Sequence, residues 1–112
     1  MNKEERIETN RKKTLAVLLA LTKEHPNQEE YITKAYIEGR FYRVYEDRQR
    51  PSEVGIWTHL ESYLSKGLVK RVILRSTTNP ERSSRGYRAN LDKEKEILEE
   101  IGKEFINPQG TK

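Results

Sequence analysis

The side chains that most often carry out chemistry are few in this chain. It has two histidines, His25 and His59, and no cysteine, which excludes disulfides, thiolate chemistry and cysteine-ligated zinc. The adjacent acidic pairs at 46–47 and 99–100 are typical of solvated helix surface rather than of a catalytic dyad. Gly-rich phosphate loops and nucleophile motifs are absent from the sequence. The sequence therefore predicts that the protein is not an enzyme and needs no metal, cofactor or small-molecule ligand.

Lysine and arginine offer a different chemistry, the binding of anions. The formal net charge is +4, but the positive charge is unevenly distributed. Residues 68–91 contain six basic residues against Glu81 alone, whereas residues 92–106 have a net charge of −3. A solvated surface explains many charge runs, but an arginine-rich segment with Ser, Thr and Gly between the charges also suits nucleic acid.

Length and composition limit the elements that can position these cations. A chain of 112 residues with 33% hydrophobic and 36% charged residues predicts one domain with a small core. The longest apolar run, residues 15–21, is far shorter than the roughly 20 residues of a membrane span. Glu4, Glu5 and Glu8 do not suit a signal peptide. We expect a soluble cytoplasmic protein without a membrane partner, with a polar extension at 1–10, the domain at 11–106 and a loose tail at 107–112.

Three helices are predicted in the first half of the domain. Leucines at helical spacing place the first helix at 11–24, before His25-Pro26. The polar residues 1–10 are either a frayed start or an extra turn of this helix. The second is predicted at 29–47 with Asn27 as its N-cap, and Gly39 within it is expected to mark a close approach to another element. The third is predicted at 53–66, capped by Ser52 and ended by Gly67. Its buried stripe is predicted to consist of Ile56, Leu60, Tyr63 and Leu64.

A hairpin and a fourth helix are predicted in the second half. Residues 68–75 and 87–91 indicate two strands joined by a long basic loop at 76–86. Asp92 is expected to cap the last helix, in which Ile97, Leu98, Ile101 and Phe105 form an apolar stripe. That stripe is either core against the first helix or the seam of a homodimer through residues 92–106. The monomer is the favoured alternative.

This order of elements resembles the winged helix-turn-helix family over residues 14–91. The most specific element is Ile56-x-x-x-Leu60-x-x-Tyr63-x-x-x-Gly67-Leu68-Val69, with a tyrosine where the family usually has leucine. The basic loop around Arg82 and Arg85 is similar to the wing of the C-terminal winged helix of archaeal replication initiators. The small size resembles the stand-alone winged-helix proteins of crenarchaeal spindle-shaped viruses, and a viral protein would be located in the host cytoplasm.

The resemblance implies an α+β fold that binds double-stranded DNA and regulates transcription. The third helix would enter the major groove, and the wing would contact the backbone or the minor groove. Trp57 is either a core anchor or a groove contact, and His59 is either partly buried or directed at phosphate. The alternatives are a protein-interaction module in a replication or transcription assembly, and an RNA-binding domain. The predicted DNA contacts are Arg48, Arg50, Ser52, Trp57, Thr58, Glu61, Ser62, Lys66, Arg75, Arg82, Arg85 and Arg88.

Overall fold

The computed structural model describes residues 3–27, 29–45, 51–75 and 83–102, with the backbone alone at 53, 74, 75, 83 and 84. Within these residues the chain is α+β, as predicted, with four α-helices and a three-stranded antiparallel sheet. In chain order the elements are α1 (Lys3–Glu24), β1 (Ile32–Thr33), α2 (Lys34–Val44), α3 (Glu53–Ser65), β2 (Val69–Arg75), β3 (Ser83–Ala89), a short 3-10 helix (Leu91–Lys93) and α4 (Glu94–Ile101).

Helix α1 is the element around which the others pack. The seven consecutive residues 13–19 are all buried, so this stretch is surrounded rather than covered along one stripe. It contacts α2, α3, α4 and β3. The helix ends at Glu24, before His25-Pro26, as predicted. Of the two alternatives for residues 1–10, the helical one is found, because α1 begins at Lys3 and not at Arg11 and continues through most of the expected polar extension.

The structure also corrects the start of the second helix. The side-chain oxygen of Asn27 accepts from the backbone N–H of Glu29 at 2.9 Å, within a turn and not at a helix start. Ile32–Thr33 then forms β1, which pairs with β3, and α2 begins only at Lys34. Both β1 residues are β-branched and favour extended backbone. Pairing with a strand far along the chain therefore determines where α2 begins.

Helix α3 agrees with its prediction at both ends. The Ser52 hydroxyl oxygen accepts from the backbone N–H of Gly55 at 3.0 Å, which is N-cap geometry. At the other end Gly67 has a φ of +77°. The N–H groups of Gly67 and Leu68 each donate, at 3.1 Å, to carbonyl oxygens of the last turn. This double hydrogen bond is the Schellman motif, and it leads the chain directly into β2.

The buried face of α3 is the predicted one. Ile56, Leu60 and Tyr63 are at most 3% exposed, and Leu64 is half-buried. Tyr63 occupies the position where the resemblance leads one to expect leucine. Its hydroxyl donates to Glu100 Oε1 at 3.4 Å, which gives the buried phenol a polar partner.

Strands β2 and β3 form the predicted hairpin with a longer return strand. Val69 pairs with Ala89 at the base, and Arg75 pairs with Ser83 at the far end. Residues 83–86, expected in the loop, therefore belong to β3. The connection at 76–82 lies outside the described residues. Because β1 pairs with the other edge of β3, the strand order is β1-β3-β2.

Two buried polar side chains connect α1 and the following loop to β3. The Thr22 hydroxyl oxygen accepts from the backbone N–H of Ala89 at 3.0 Å. Arg88 is only 3% exposed, and its Nη1 donates to the carbonyl oxygens of His25 and Glu30 at 2.7 and 3.0 Å. Buried polar groups are costly unless they are hydrogen-bonded. Thr22 therefore connects α1 to β3, and Arg88 holds the carbonyl groups of His25 and Glu30 against β3.

The last helix is capped differently from the prediction. The Asn90 side-chain oxygen accepts from the backbone N–H of Asp92 at 3.3 Å and starts the 3-10 helix that leads into α4. Ile97 and Ile101 are at most 1% exposed and belong to the core of the single chain. Phe105 and the C-terminal tail lie outside the described residues. The homodimer through residues 92–106 stays an alternative prediction.

Gly39 does not mark the close approach that was expected. A Cβ atom built on it would have no neighbour within 4 Å, and the residue is exposed in the middle of α2. Gly67 differs, because its positive φ is one that L side chains rarely adopt. A side chain larger than hydrogen is therefore expected to be tolerated at Gly39 and to destabilise the fold at Gly67.

Leu60→Ala should lower the free energy of unfolding by about 2–5 kcal/mol, because it removes buried methyl groups and leaves a cavity. Thr58→Ala, two residues earlier on the exposed face, should change it by less than about 0.5 kcal/mol. Chemical denaturation of both variants measures the difference. Equal effects would show that the packed face of α3 is assigned incorrectly.

Gly39→Ala should raise the free energy of unfolding by about 0.5–1 kcal/mol, because alanine restricts the unfolded chain and fits the helix without a clash. Gly67→Ala should lower it by about 1–2 kcal/mol, because its left-handed backbone strains any residue with a Cβ atom. Paired denaturation curves test both signs. A destabilised Gly39→Ala variant would show that another group approaches α2 at this point.

Candidate nucleic-acid interface

The exposed face of α3 presents short polar side chains. Thr58 is exposed and Ser62 is half-buried, while Val54 beside them is 73% exposed. The Thr58 hydroxyl donates to the Val54 carbonyl oxygen at 2.9 Å, so its proton is used within the helix and its oxygen can still accept. Ser52 uses its hydroxyl oxygen to cap the helix. Thr58 and Ser62 are therefore the hydroxyls best placed to meet a ligand.

Trp57 lies where α3, β3 and the start of α2 come together. Its half-buried ring packs against the core and meets the Tyr87 ring edge to face, with centroids 5.5 Å apart. Lys34 Nζ and the Arg85 guanidinium carbon lie 4.8 and 5.1 Å from the indole centroid. Such cation–π contacts contribute about 0.5–1 kcal/mol at exposed sites. Trp57 is thus partly anchored in the core, and it gathers two cations from separate elements at one place.

Glu61 follows Trp57 by one helical turn and is held by two donors. Its Oε1 accepts from Arg71 Nη1 at 2.6 Å, and its Oε2 accepts from the Tyr87 hydroxyl at 3.3 Å. Burial, with the nearby Glu61 charge, raises the pKa of Tyr87 to about 12, so this hydroxyl stays protonated at neutral pH. Glu61 was expected to accept from a cytosine amino group. Each of its oxygens accepts one hydrogen bond within the chain, and the contact with cytosine stays a prediction.

These contacts define a group that we call the Trp57 cluster: Lys34, Trp57, Glu61, Arg71, Arg85 and Tyr87. Arg71 is directly opposite Tyr87, and Arg85 is directly opposite Ile73, two residues further along β2. Side chains two residues apart on a strand share a face. Arg71 and Arg85 therefore lie on one side of the hairpin, next to α3. There Arg71 meets Glu61, and Arg85 and Lys34 meet Trp57, so the cluster contains three cations and one carboxylate. Guanidinium and ammonium groups in this arrangement can donate to phosphate oxygens.

Lys66 belongs to a different surface from the Trp57 cluster. Its Nζ lies 5.6 Å from the ring centroid of Tyr63. Its side chain lines a shallow depression together with Glu96, Glu99 and Glu100 of the acidic last helix. These carboxylates repel phosphate. The structure therefore does not bring Lys66 to the surface where the other predicted contacts lie.

The expected phosphate contact of Arg88 is corrected by its burial. Its guanidinium is enclosed between β3 and the loop that follows α1, where it donates to two backbone carbonyls. The strand pattern alone left the two faces of the hairpin unassigned, so a buried arginine could not be separated from exposed ones. Arg88 stabilises the fold and is not part of the candidate interface.

His59 also faces inwards. It is 7% exposed, and burial, followed by the nearby charge of Arg11, lowers its pKa from the ordinary value. The side chain is therefore neutral at pH 7. Of the two alternatives for His59, burial describes its position better than contact with phosphate.

Four predicted contacts cannot be placed in this geometry. Arg48, Arg50 and Arg82 lie outside the described residues, and Arg75 is described by its backbone alone, at the end of β2. These four stay predictions.

Lys34 and Arg71 belong to the cluster but were not among the predicted contacts. Arg71 could not be singled out from the sequence, because both faces of its strand contain apolar residues. In the structure it shares a face with Val69, which enters the core directly after α3. No local pattern could have identified Lys34. Its position depends on β1 ending the preceding loop and delaying the start of α2.

Among the described residues, no three or more His, Asp or Glu side chains converge closely enough to hold a metal ion. Within the same ranges, no helix combines the length and apolar character needed to cross a bilayer.

The chain matches no protein-family model, no curated protein and no solved structure.

Proposed function

We propose that the protein is a winged helix-turn-helix domain that binds double-stranded DNA with sequence preference and regulates transcription. The observation that carries the proposal is the Trp57 cluster, in which three cations lie beside the exposed hydroxyl face of α3. The helix and the cations would meet the same ligand, because they occupy adjoining surfaces. A duplex offers both of the required partners, phosphate oxygens and base edges.

The arrangement of elements supports this proposal. Three helices pack around a common core, and the third ends in a Schellman turn that continues into a hairpin. The inner face of α3 is buried through Ile56, Leu60 and Tyr63, so its opposite face is turned away from the core. A helix supported in this way can enter a major groove, which is about 12 Å wide.

The two parts of the surface suit different tasks. Lys34 and Arg85 are held against the indole ring, and Lys34 also pairs with Glu38 at 3.5 Å. A duplex whose phosphate replaces Glu38 would let both cations neutralise phosphates of any sequence and release counterions. Thr58 and Ser62 have short hydroxyl side chains that can bond to base edges. We therefore assign salt-dependent affinity to the Trp57 cluster and sequence preference to α3.

A second candidate, a protein-interaction module, is favoured by the outer face of α2. Tyr36 and Tyr42 are 58% and 70% exposed, and Gly39 lies between them in sequence without a neighbour within 4 Å of an added Cβ atom. Tyrosine is enriched in protein interfaces. Weak duplex binding at physiological salt would favour this candidate, together with a protein partner that no longer binds Tyr42→Ser but still binds variants of the Trp57 cluster.

Replacing Lys34 and Arg85 together by alanine should weaken binding to every duplex by a similar factor. It should also reduce the slope of log affinity against log salt by about 0.9 for each phosphate that is no longer neutralised, or about 1.8 for two. The matched control is the double variant Lys70→Ala, Lys95→Ala, which removes the same charge from exposed positions outside the cluster. Fluorescence anisotropy with labelled duplexes, over a series of salt concentrations, measures both quantities.

The α3 variants should behave in the opposite way. Thr58→Ala or Ser62→Ala should leave the salt slope nearly unchanged. Either variant should reduce the difference in binding free energy between a selected site and random duplex by roughly 1–3 kcal/mol. This assignment of tasks is wrong if the Lys34, Arg85 double variant loses its preference for the selected site over random duplex while its salt slope stays unchanged. It is equally wrong if the control pair reduces the slope as much as the cluster pair does.

A further inference from the structure

The position of Glu61 presents a difficulty for any surface that binds DNA. The carboxylate lies on α3, among the three cations of the Trp57 cluster, where phosphates would have to approach. A negative charge in such a place repels phosphate. If affinity alone mattered, a neutral side chain at this position would serve better.

The geometry shows that Glu61 is held in place and not simply exposed. Its two oxygens are engaged by Arg71 Nη1 at 2.6 Å and by the Tyr87 hydroxyl at 3.3 Å. The Glu61 and Arg71 side chains are 39% and 34% exposed, so a ligand can still reach both. In the protein without DNA, the Arg71 charge is therefore neutralised by a neighbour at hydrogen-bond distance.

We infer that Glu61 is a specificity-determining residue that masks Arg71 and thereby suppresses binding to duplexes of arbitrary sequence. The inference rests on the proposed DNA-binding function and adds to it a residue that acts by penalty. A phosphate must compete with Glu61 for Arg71 and must approach the carboxylate to do so. A duplex that makes further contacts with α3 offsets this cost, and a duplex of random sequence does not. The repulsion by Glu61 thereby widens the difference in affinity between a preferred site and random duplex.

The isosteric variant Glu61→Gln tests the inference, because glutamine can still accept from the Tyr87 hydroxyl but no longer neutralises Arg71. It should bind random duplex about threefold to tenfold more tightly than the unmodified chain at low salt. Its salt slope should become steeper by about 0.9, the value of one additional phosphate contact. Its preference for a selected site over random duplex should fall.

Glu100→Gln is the matched control. Glu100 also accepts from a buried tyrosine hydroxyl, that of Tyr63 at 3.4 Å, but it lies on α4, away from the Trp57 cluster. This variant changes the net charge by the same amount and should leave both affinity and slope almost unaltered. If Glu61→Gln and Glu100→Gln gained equal affinity for random duplex, the change in net charge alone would explain the effect, and the inference would be overturned.

A double-mutant cycle with Arg71 gives the second arm of the test. Arg71→Ala alone should weaken binding to random duplex, because it leaves the Glu61 charge uncompensated beside the phosphates. It should not reduce the salt slope by a full phosphate contact, because Arg71 pairs with Glu61 in the unmodified chain. In the Glu61→Gln background the same change should remove the whole gain in slope. Additive effects on the slope, or weaker random binding by Glu61→Gln, would overturn this inference and leave the proposed function standing. If all variants and the unmodified chain fail to bind any duplex at low salt, both the proposed function and the inference are wrong.

Discussion

The arrangement of this domain depends on the burial of one cation, the guanidinium of Arg88. Burying a guanidinium is costly unless it is hydrogen-bonded. Arg88 offsets part of this cost through Nη1, which donates to the carbonyl oxygens of His25 and Glu30, while its buried Nη2 has no hydrogen-bond partner among the described residues. His25 and Glu30 are thereby held against β3, which brings Ile32–Thr33 into register as β1. The start of α2 follows from that register. Lys34 consequently reaches the indole of Trp57.

The features that could be predicted from the sequence are those fixed by neighbouring residues. The Ser52 cap, the Gly67 terminus and the buried face around Leu60 each depend on a few positions within one helix, and all three are found in the structure. The start of α2 could not be predicted in the same way, because it depends on pairing with a strand formed much later in the chain. Charge counting failed for Arg88 for a related reason. A sum over residues does not distinguish an arginine that binds carbonyls in the interior from one that faces water.

The candidate site shares its supports with the core. Tyr87 is fully buried, and it both packs against Trp57 and donates to Glu61. The head groups of the cluster are therefore positioned by side chains that cannot move without disturbing the hydrophobic interior. A surface built in this way is organised before a ligand arrives, and binding then costs less conformational entropy. It also means that changes at the cluster must be checked for stability before they are interpreted as changes in binding.

Trp57 is the single tryptophan of the chain, and its indole is flanked by Lys34 and Arg85. Indole emission responds to the electric field of nearby charges and to the entry or departure of water. Any ligand that draws either cation away from the ring would alter that field. The intrinsic fluorescence of the unlabelled protein is therefore a direct optical signal of events at this surface, without interference from a second emitter of the same kind.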